Sequence, residues 1–438
     1  MTVSAQREWT ILLYTMADDT ALRGFANQTL LDIGRASAEA GSAVKTVAQV
    51  TLRHNLCHPI RRYDFEEKSA PMRHIDKAVN LEFLACKDKN PRRNLVEFLR
   101  WGQRTYPAKR TCVVLQGHAW GADYTIPAFK LTRPMPVRGR RNDYHLILGS
   151  PRSKNHLSNK DLQDTLTCAC AGFKFDLLGM DSCLMSMAEI LYELHGCADY
   201  TVAPEGLGPV RGWPFYPILM KLNRDPSLGP AALGTAILDL YARNYKDWGK
   251  GVKLTASLCA LEFAGELMIA MQALVPALRS GLRAASTRQA IIHARVACSF
   301  FRIPTYVDIV HFCQLLEREP AIRYGSDGAG SNGAGSEIYK ACGQVQAALH
   351  KRFVQRVALQ RGDRDAHGVS IYFPKWRIGA KARLSPWKRI AWTDPMATPV
   401  SYDEAIAKID AAYINHQFAD GCGWKEFLLE FLQARLVP

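Results

Sequence analysis

Short apolar runs alternate with amphipathic stretches through the first half of the chain, and no other sequence feature restricts the fold as much. Trp9–Met16 (WTILLYTM) has the pattern of a buried strand and runs into Asp18 and Asp19. Leu22, Phe25, Leu30, Leu31 and Ile33 then fall at helical spacing, and a second apolar run extends from Val44 through Thr51. Between Asn94 and Tyr106, the residues Leu95, Phe98, Leu99 and Trp101 supply one helical face. Thr111–His118 (TCVVLQGH), Phe175–Met180 (FDLLGM) and Tyr200–Ala203 read as further strands. Ser158 and Asp161 have the spacing of a capping box that opens a helix between the first two of these strands. Strand–helix alternation of this kind predicts an α/β fold, a mainly parallel central sheet with helices on both faces.

Composition agrees with a packed core. Of 438 residues, 48% are hydrophobic and 22% charged, ordinary values for globular chains of one large domain with additions or of two domains. The expected division is a core over 1–225 and a more helical extension over 226–438, with helices at Pro230–Trp248 and Phe263–Arg288. A late strand at His367–Pro374 is expected to return to the core sheet. The Gly/Ser/Ala/Asn run from Tyr324 to Ser336 lacks the Gly-Lys-Ser/Thr ending of a phosphate-binding loop and reads as a linker. The start is polar and the run Ile11–Tyr14 is too short to span a bilayer, so no membrane association and a cytoplasmic location are expected.

Twelve cysteines are scattered, several within apolar runs (Cys112, Cys259), which reads as packing rather than as a disulfide framework. Cys168 and Cys170 alternate, but no second pair stands at zinc-finger spacing; His54, Cys57 and His58 could share a helical face, but a fourth ligand is missing. The formal charge of +15 favours acidic partners, but the positive residues are spread along the chain and no nucleic-acid-binding motif accompanies them. Binding of nucleic acid therefore ranks behind the chemistry below.

Two residues with catalytic potential, His118 and Cys183, each follow directly on a predicted strand. Both would stand at the carboxyl edge of the sheet, where such folds bind ligands. A thiol is nucleophilic only as thiolate and needs a histidine or another positive environment. Cys183 reads as opening a helix over Leu184–Leu194, whose dipole would favour a negative sulfur, and His118 could accept the thiol proton. Spacing alone does not establish that the two meet.

The surrounding words add to this. Leu115–Gly121 (LQGHAWG) and Phe175–Glu189 (FDLLGMDSCLMSMAE) resemble the two catalytic segments of the clostripain-like peptidases, members of the caspase-like group of cysteine peptidases. The resemblance continues through Ala198–Glu205 (ADYTVAPE), Gly212–Phe215 (GWPF), Trp9–Tyr14 with Ala17 and Asp18, Tyr306–Asp308 and Gly368–Pro374 (GVSIYFP), in the expected order. It implies a caspase-like three-layer α/β/α sandwich and peptide-bond hydrolysis through an acyl-enzyme on Cys183, with His118 as general base and acid. Protein or peptide substrates with Arg, and often Lys, before the scissile bond are implied too. The pocket acid would be Asp181, with Glu205 second and Asp18 third. Main-chain N–H groups of Cys183 and Ala119 would hold the oxyanion. No cofactor is required; calcium enters by resemblance alone, and no EF-hand loop is present.

The sequence departs from the family at two points. Ala119 stands where glycine is usual after the histidine, which is harmless if the backbone there does not need a positive φ. Pro204–Arg211 (PEGLGPVR) replaces an acidic stretch, and Arg211 would oppose a basic side chain. Relatives are often cut between the histidine and the cysteine. The basic loop over Arg133–Lys154 offers Arg138, Arg140, Arg141, Arg152 and Lys154 to the protein itself or to an upstream protease. A catalytically weak caspase-like scaffold is the rival reading, favoured by Ala119 and the altered loop.

Overall fold

The structure is a computed structural model that describes residues 6–17, 20–39, 41–52, 60–65, 79–84, 90–122, 148–149, 156–170, 172–209, 211–246, 254–301, 305–324, 333–360, 365–374, 402–413 and 416–434. Asp18, the His54/Cys57/His58 group and all five basic residues of the expected processing loop lie outside these. The chain forms two compact units. One comprises 1–186, 194–262 and 355–363, the other 187–193, 263–354 and 364–438. Because the chain passes between them more than once, a single boundary at residue 225 does not separate them.

The strands are, in chain order, β1 (Arg7–Ala17), β2 (Val44–Leu52), β3 (Ile60–Phe65), β4 (Val79–Leu84), β5 (Ala108–Gln116), β6 (Leu148–Gly149), β7 (His156–Leu157), β8 (Phe175–Asp181), β9 (Ala198–Pro204), β10 (Leu254–Ala260), β11 (Tyr306–Asp308), β12 (Val354–Gln360) and β13 (Ser370–Tyr372). Nine form the central sheet of the first unit, in the order β12-β10-β9-β8-β5-β1-β2-β3-β4. The five strands from β9 to β2 run parallel, as the alternation predicts. Antiparallel strands extend the sheet beyond them: β10 beside β9, β3 beside β2 and β4 beside β3. These additions were not read from the sequence.

The helices of this unit are α1 (Thr20–Ala38), α2 (Pro91–Thr105), α3 (Asn159–Cys170), α5 (Phe215–Arg224) and α6 (Pro230–Tyr245); α4 (Ala188–Glu193) belongs to the second unit. Trp9, Ile11, Leu13, Cys112, Val114, Leu177 and Val202 cluster with Leu30 and Ile33 of α1, Leu222 of α5 and Leu238 of α6. The opposite face carries α2. A side chain on its Gly102 would collide with Leu12, and Phe98 packs its ring 6.0 Å from Tyr14. Both faces are thus covered, and consecutive residues such as Leu12 and Leu13 are both fully buried. Hence the strands read as continuous apolar runs, each such side chain contributing about 1.5–3 kcal/mol of burial. Caps follow local rules. Asn90 caps α2 ahead of Pro91, and at α3 the Ser158 N–H donates to Asp161 while the Asp161 N–H donates to the Ser158 hydroxyl, at 2.9 and 3.0 Å.

The second unit holds α4 and α7 (Ala264–Gly281), α8 (Ala285–Ala297), α9 (Ile309–Arg318), α10 (Pro320–Arg323), α11 (Ala334–Ala348), α12 (Tyr402–Ala412), α13 (Gln417–Cys422) and α14 (Trp424–Ala434). The late strand was expected to rejoin the central sheet. Instead β13 pairs antiparallel with β11 in a sheet of two strands. A three-residue strand carries no local information about its partner, and here the pairing is fixed by the packing of Phe373 against Phe312, Trp424 and Phe431. The segment Leu261–Gly281 is long and apolar enough to cross a membrane by length and composition, and half of it is buried. Its Leu267, Met271, Leu274 and Leu278 are core residues of the second unit.

Candidate active site

The parallel strands β1, β5 and β8 end in register, with Thr15 opposite Gln116 and Gln116 opposite Asp181. Side chains at matched positions of neighbouring strands point to the same face, so these polar residues form a row. The Thr15 hydroxyl donates to Gln116 Oε1 at 3.0 Å, and the Gln116 amide donates to Asp181 Oδ2 at 2.8 Å. The Trp213 N–H donates to the same carboxylate oxygen at 3.0 Å. Gly212 has φ +70° and lies so close that a side chain there would strike the carboxylate; only glycine meets both demands. Its carbonyl accepts from the Tyr245 hydroxyl at 2.7 Å, which secures the turn from α6.

Past this row the chain reaches His118 from β5 and Cys183 from β8. Both line one open cavity, together with Asp181, Gly117, Ser182, Gly208, Gly212 and residues of β1 and α1, among them Ala17, Leu22 and Phe25. His118 is half-buried, its ring stacked near Trp120 with centroids 6.4 Å apart. Ala119 is buried, and among the described residues the single non-glycine with a positive φ is Leu184, so the condition set for alanine at 119 is met.

Cys183 does not open a helix: α4 begins only at Ala188. The cysteine stands instead in a tight turn in which Leu184 adopts φ 59°, a conformation costing a leucine on the order of 1 kcal/mol or more. The turn is held by the end of β9 and the chain just beyond it. The Leu184 N–H donates to the Gly206 carbonyl, and the Met185 and Ser186 N–H groups to that of Pro204, each at 2.9 Å. Support for a negative sulfur therefore comes from the nearby Gly208 N–H and not from a helix dipole. Burial outweighs that support and pushes the Cys183 thiol up to about 11, with the Asp181 charge adding to the rise. Burial also pushes the Asp181 carboxyl up to about 6, against the hydrogen bonds from Trp213 and Gln116.

The other expected pocket acid is elsewhere. Glu205 is fully buried and does not line the cavity; its N–H donates to the Thr255 carbonyl at 3.0 Å, and its charge is felt by Cys259. Arg211 is exposed, close enough to Tyr245 to act on it electrostatically, and is not part of the lining. Gln116, Thr15 and Gly208 received no role from the sequence. Gln116 left one trace, a polar residue closing an apolar strand before Gly117-His118. Among the described residues no group of three or more His, Cys, Asp or Glu side chains could hold a metal ion.

His118 and Cys183 thus stand just past the adjoining ends of two parallel strands, β5 and β8. The sequence model of the clostripain family (Peptidase C11) matches residues 72–318, more than half of the chain. The chain belongs to the clostripain family of cysteine peptidases. No curated protein matches it by sequence. Among solved structures it is similar to a secreted C11 cysteine protease of Bacteroides thetaiotaomicron in complex with an irreversible peptide inhibitor (14% identity, TM-score 0.60, 95% of this chain and 99% of that one). It is also similar to an inactive zymogen C11 protease of Parabacteroides distasonis (16% identity, TM-score 0.58, 85% and 94%). At these identities the likeness is one of fold.

Proposed function

We propose that this peptidase is an endopeptidase cleaving after Arg, and secondarily Lys, with Cys183 and His118 as a dyad. The observation that carries the reading is the cavity itself: imidazole, thiol and a buried carboxylate two residues before the thiol line one depression. A thiol pushed up to about 11 is almost wholly protonated near neutrality, so attack requires His118 to accept its proton. Sulfur then adds to the scissile carbonyl, and the N–H groups of Ala119 and Cys183 receive the oxyanion. Collapse expels the amine, protonated by His118, and leaves a thioacyl-enzyme. Water activated by the same imidazole hydrolyses it. The basic side chain extends to Asp181 at the end of the polar row, where a guanidinium gains a charge-assisted bond in a site shielded from water. A cytoplasmic place of action belongs to the same reading, supported by cysteines that sit in apolar runs.

The elevated Asp181 carboxyl gives this a test. Below about pH 6 the group is largely neutral and offers a cation little; above that it is charged. The ratio of kcat/KM for an Arg peptide to that for its neutral citrulline counterpart cancels the ionisation of the dyad. It is expected to rise about tenfold or more as pH increases through about 6, then level off. A ratio independent of pH across that range overturns the assignment of Asp181.

A resting form that requires activation is part of the proposal, supported by the elevated Cys183 thiol and by the basic composition of the segment that holds Arg138, Arg140, Arg141, Arg152 and Lys154. Purified wild type is expected to give two fragments by intact-mass analysis and Cys183→Ala a single chain if the cut is autocatalytic. Uncut wild type with full activity rejects activation by cleavage.

A further inference from the structure

Apart from the cavity, two thiols of the first unit face each other. Cys170 is the last residue of α3, and Cys197 immediately precedes β9. The Cys170 thiol lies 3.4 Å from the Cys197 carbonyl oxygen, near enough to the Cys197 sulfur for the two thiols to act on each other electrostatically. Thr167, one turn back in α3, brings its hydroxyl within 3.4 Å of the Cys197 sulfur. The backbone fixes both. The Cys197 N–H donates to the Leu194 carbonyl at 2.8 Å, and the Cys197 carbonyl accepts from the Phe175 N–H at 2.9 Å; the Cys170 carbonyl accepts from the Phe173 N–H at 3.2 Å. The cysteines are 4% and 1% exposed. Their chain neighbours Gly172, Phe173, Lys174, His195 and Gly196 are exposed, so the pair lies just beneath the surface.

The two sulfurs are not equivalent. The Thr167 hydroxyl and the nearby Lys174 ammonium favour a negative Cys197 sulfur, whereas burial keeps the Cys170 thiol protonated. One is suited to attack and the other to resolve. Neither has a part in the peptidase chemistry.

We propose that Cys170 and Cys197 form a reversible disulfide when the protein meets hydrogen peroxide. The Cys197 thiolate attacks one peroxide oxygen, the O–O bond breaks, and hydroxide leaves a sulfenic acid behind. The Cys170 sulfur then displaces the sulfenic oxygen, which departs as water with the thiol proton. Two thiols are oxidised and one peroxide is reduced to two waters overall. The bond closes a loop that contains Cys183, and it constrains the unfolded chain. Since Cys183 is pushed up to about 11, this pair offers peroxide a thiolate ahead of the nucleophile.

Full-length protein treated with equimolar hydrogen peroxide, alkylated and digested with trypsin without reduction is expected to yield a linked peptide. Fragmentation is expected to assign the bond to Cys170 and Cys197 rather than to Cys168 or Cys183, which share those tryptic peptides. Dithiothreitol should remove the link, and Cys170→Ser and Cys197→Ser should each abolish it. The oxidised wild type is expected to melt about 5 °C or more above the reduced form. A bond involving Cys168 or Cys183 overturns the proposal, as does peroxide consumption that leaves Cys170 and Cys197 fully alkylatable. Neither outcome depends on the peptidase being active.

Discussion

Replacing Cys183 by alanine is expected to lower kcat/KM toward an Arg-ending fluorogenic peptide by at least about 10⁴-fold, with the melting temperature within a few degrees of wild type. The sulfur is the bond-forming atom, and the methyl that replaces it fits the turn set by Leu184 and the Gly206 carbonyl. His118→Ala should fall almost as far, because in this reading His118 is the group that accepts the proton of a thiol pushed up to about 11. The double variant is expected to be no slower than Cys183→Ala alone, since groups acting as one unit lose their contribution together. Additive losses, or an active Cys183→Ala, would place the chemistry on other residues and favour the scaffold reading for this cavity.

The second large effect concerns selectivity. Asp181→Asn keeps the volume and an oxygen that can accept from the Trp213 N–H, but removes the charge. A loss on the order of 10²–10³ in kcat/KM is expected for the Arg peptide, because an interaction with a buried charge is worth several kcal/mol once its partner is in place. The citrulline peptide should change less than about threefold, and the pH-dependent rise in the ratio of the two should vanish. Equal losses on both peptides would mean that Asp181 supports the nucleophile turn rather than the pocket, an outcome its position opposite Gln116 makes conceivable and the paired substrates separate. Glu205→Gln serves as the contrast. Its side chain lies away from the cavity, and any loss should be shared by both peptides.

The sequence by itself determined the strand–helix alternation of the first half, the Ser158–Asp161 cap and the placing of His118 and Cys183 just after strands. Strands buried on both faces must be apolar throughout, helices buried on one face must repeat near 3.6 residues, and caps are contacts within a turn, so each leaves a local mark. That His118 and Cys183 follow strands was legible for the same reason. Tertiary structure alone decided which strands adjoin. Gln116 and Asp181 are 65 residues apart, and their hydrogen bond exists because β5 and β8 pair in one register. The same holds for the glycine turn behind Asp181, for the burial of Glu205 away from the cavity, and for the pairing of β13 with β11. The turn at Cys183 reads as a helix start because the apolar spacing after it is helical, whereas hydrogen bonds to Pro204 at the end of β9 and to Gly206 just beyond it hold Leu184–Ser186 out of a helix. Periodicity specifies what an element is and which face it buries; which element covers that face is settled by contacts between residues far apart in the chain.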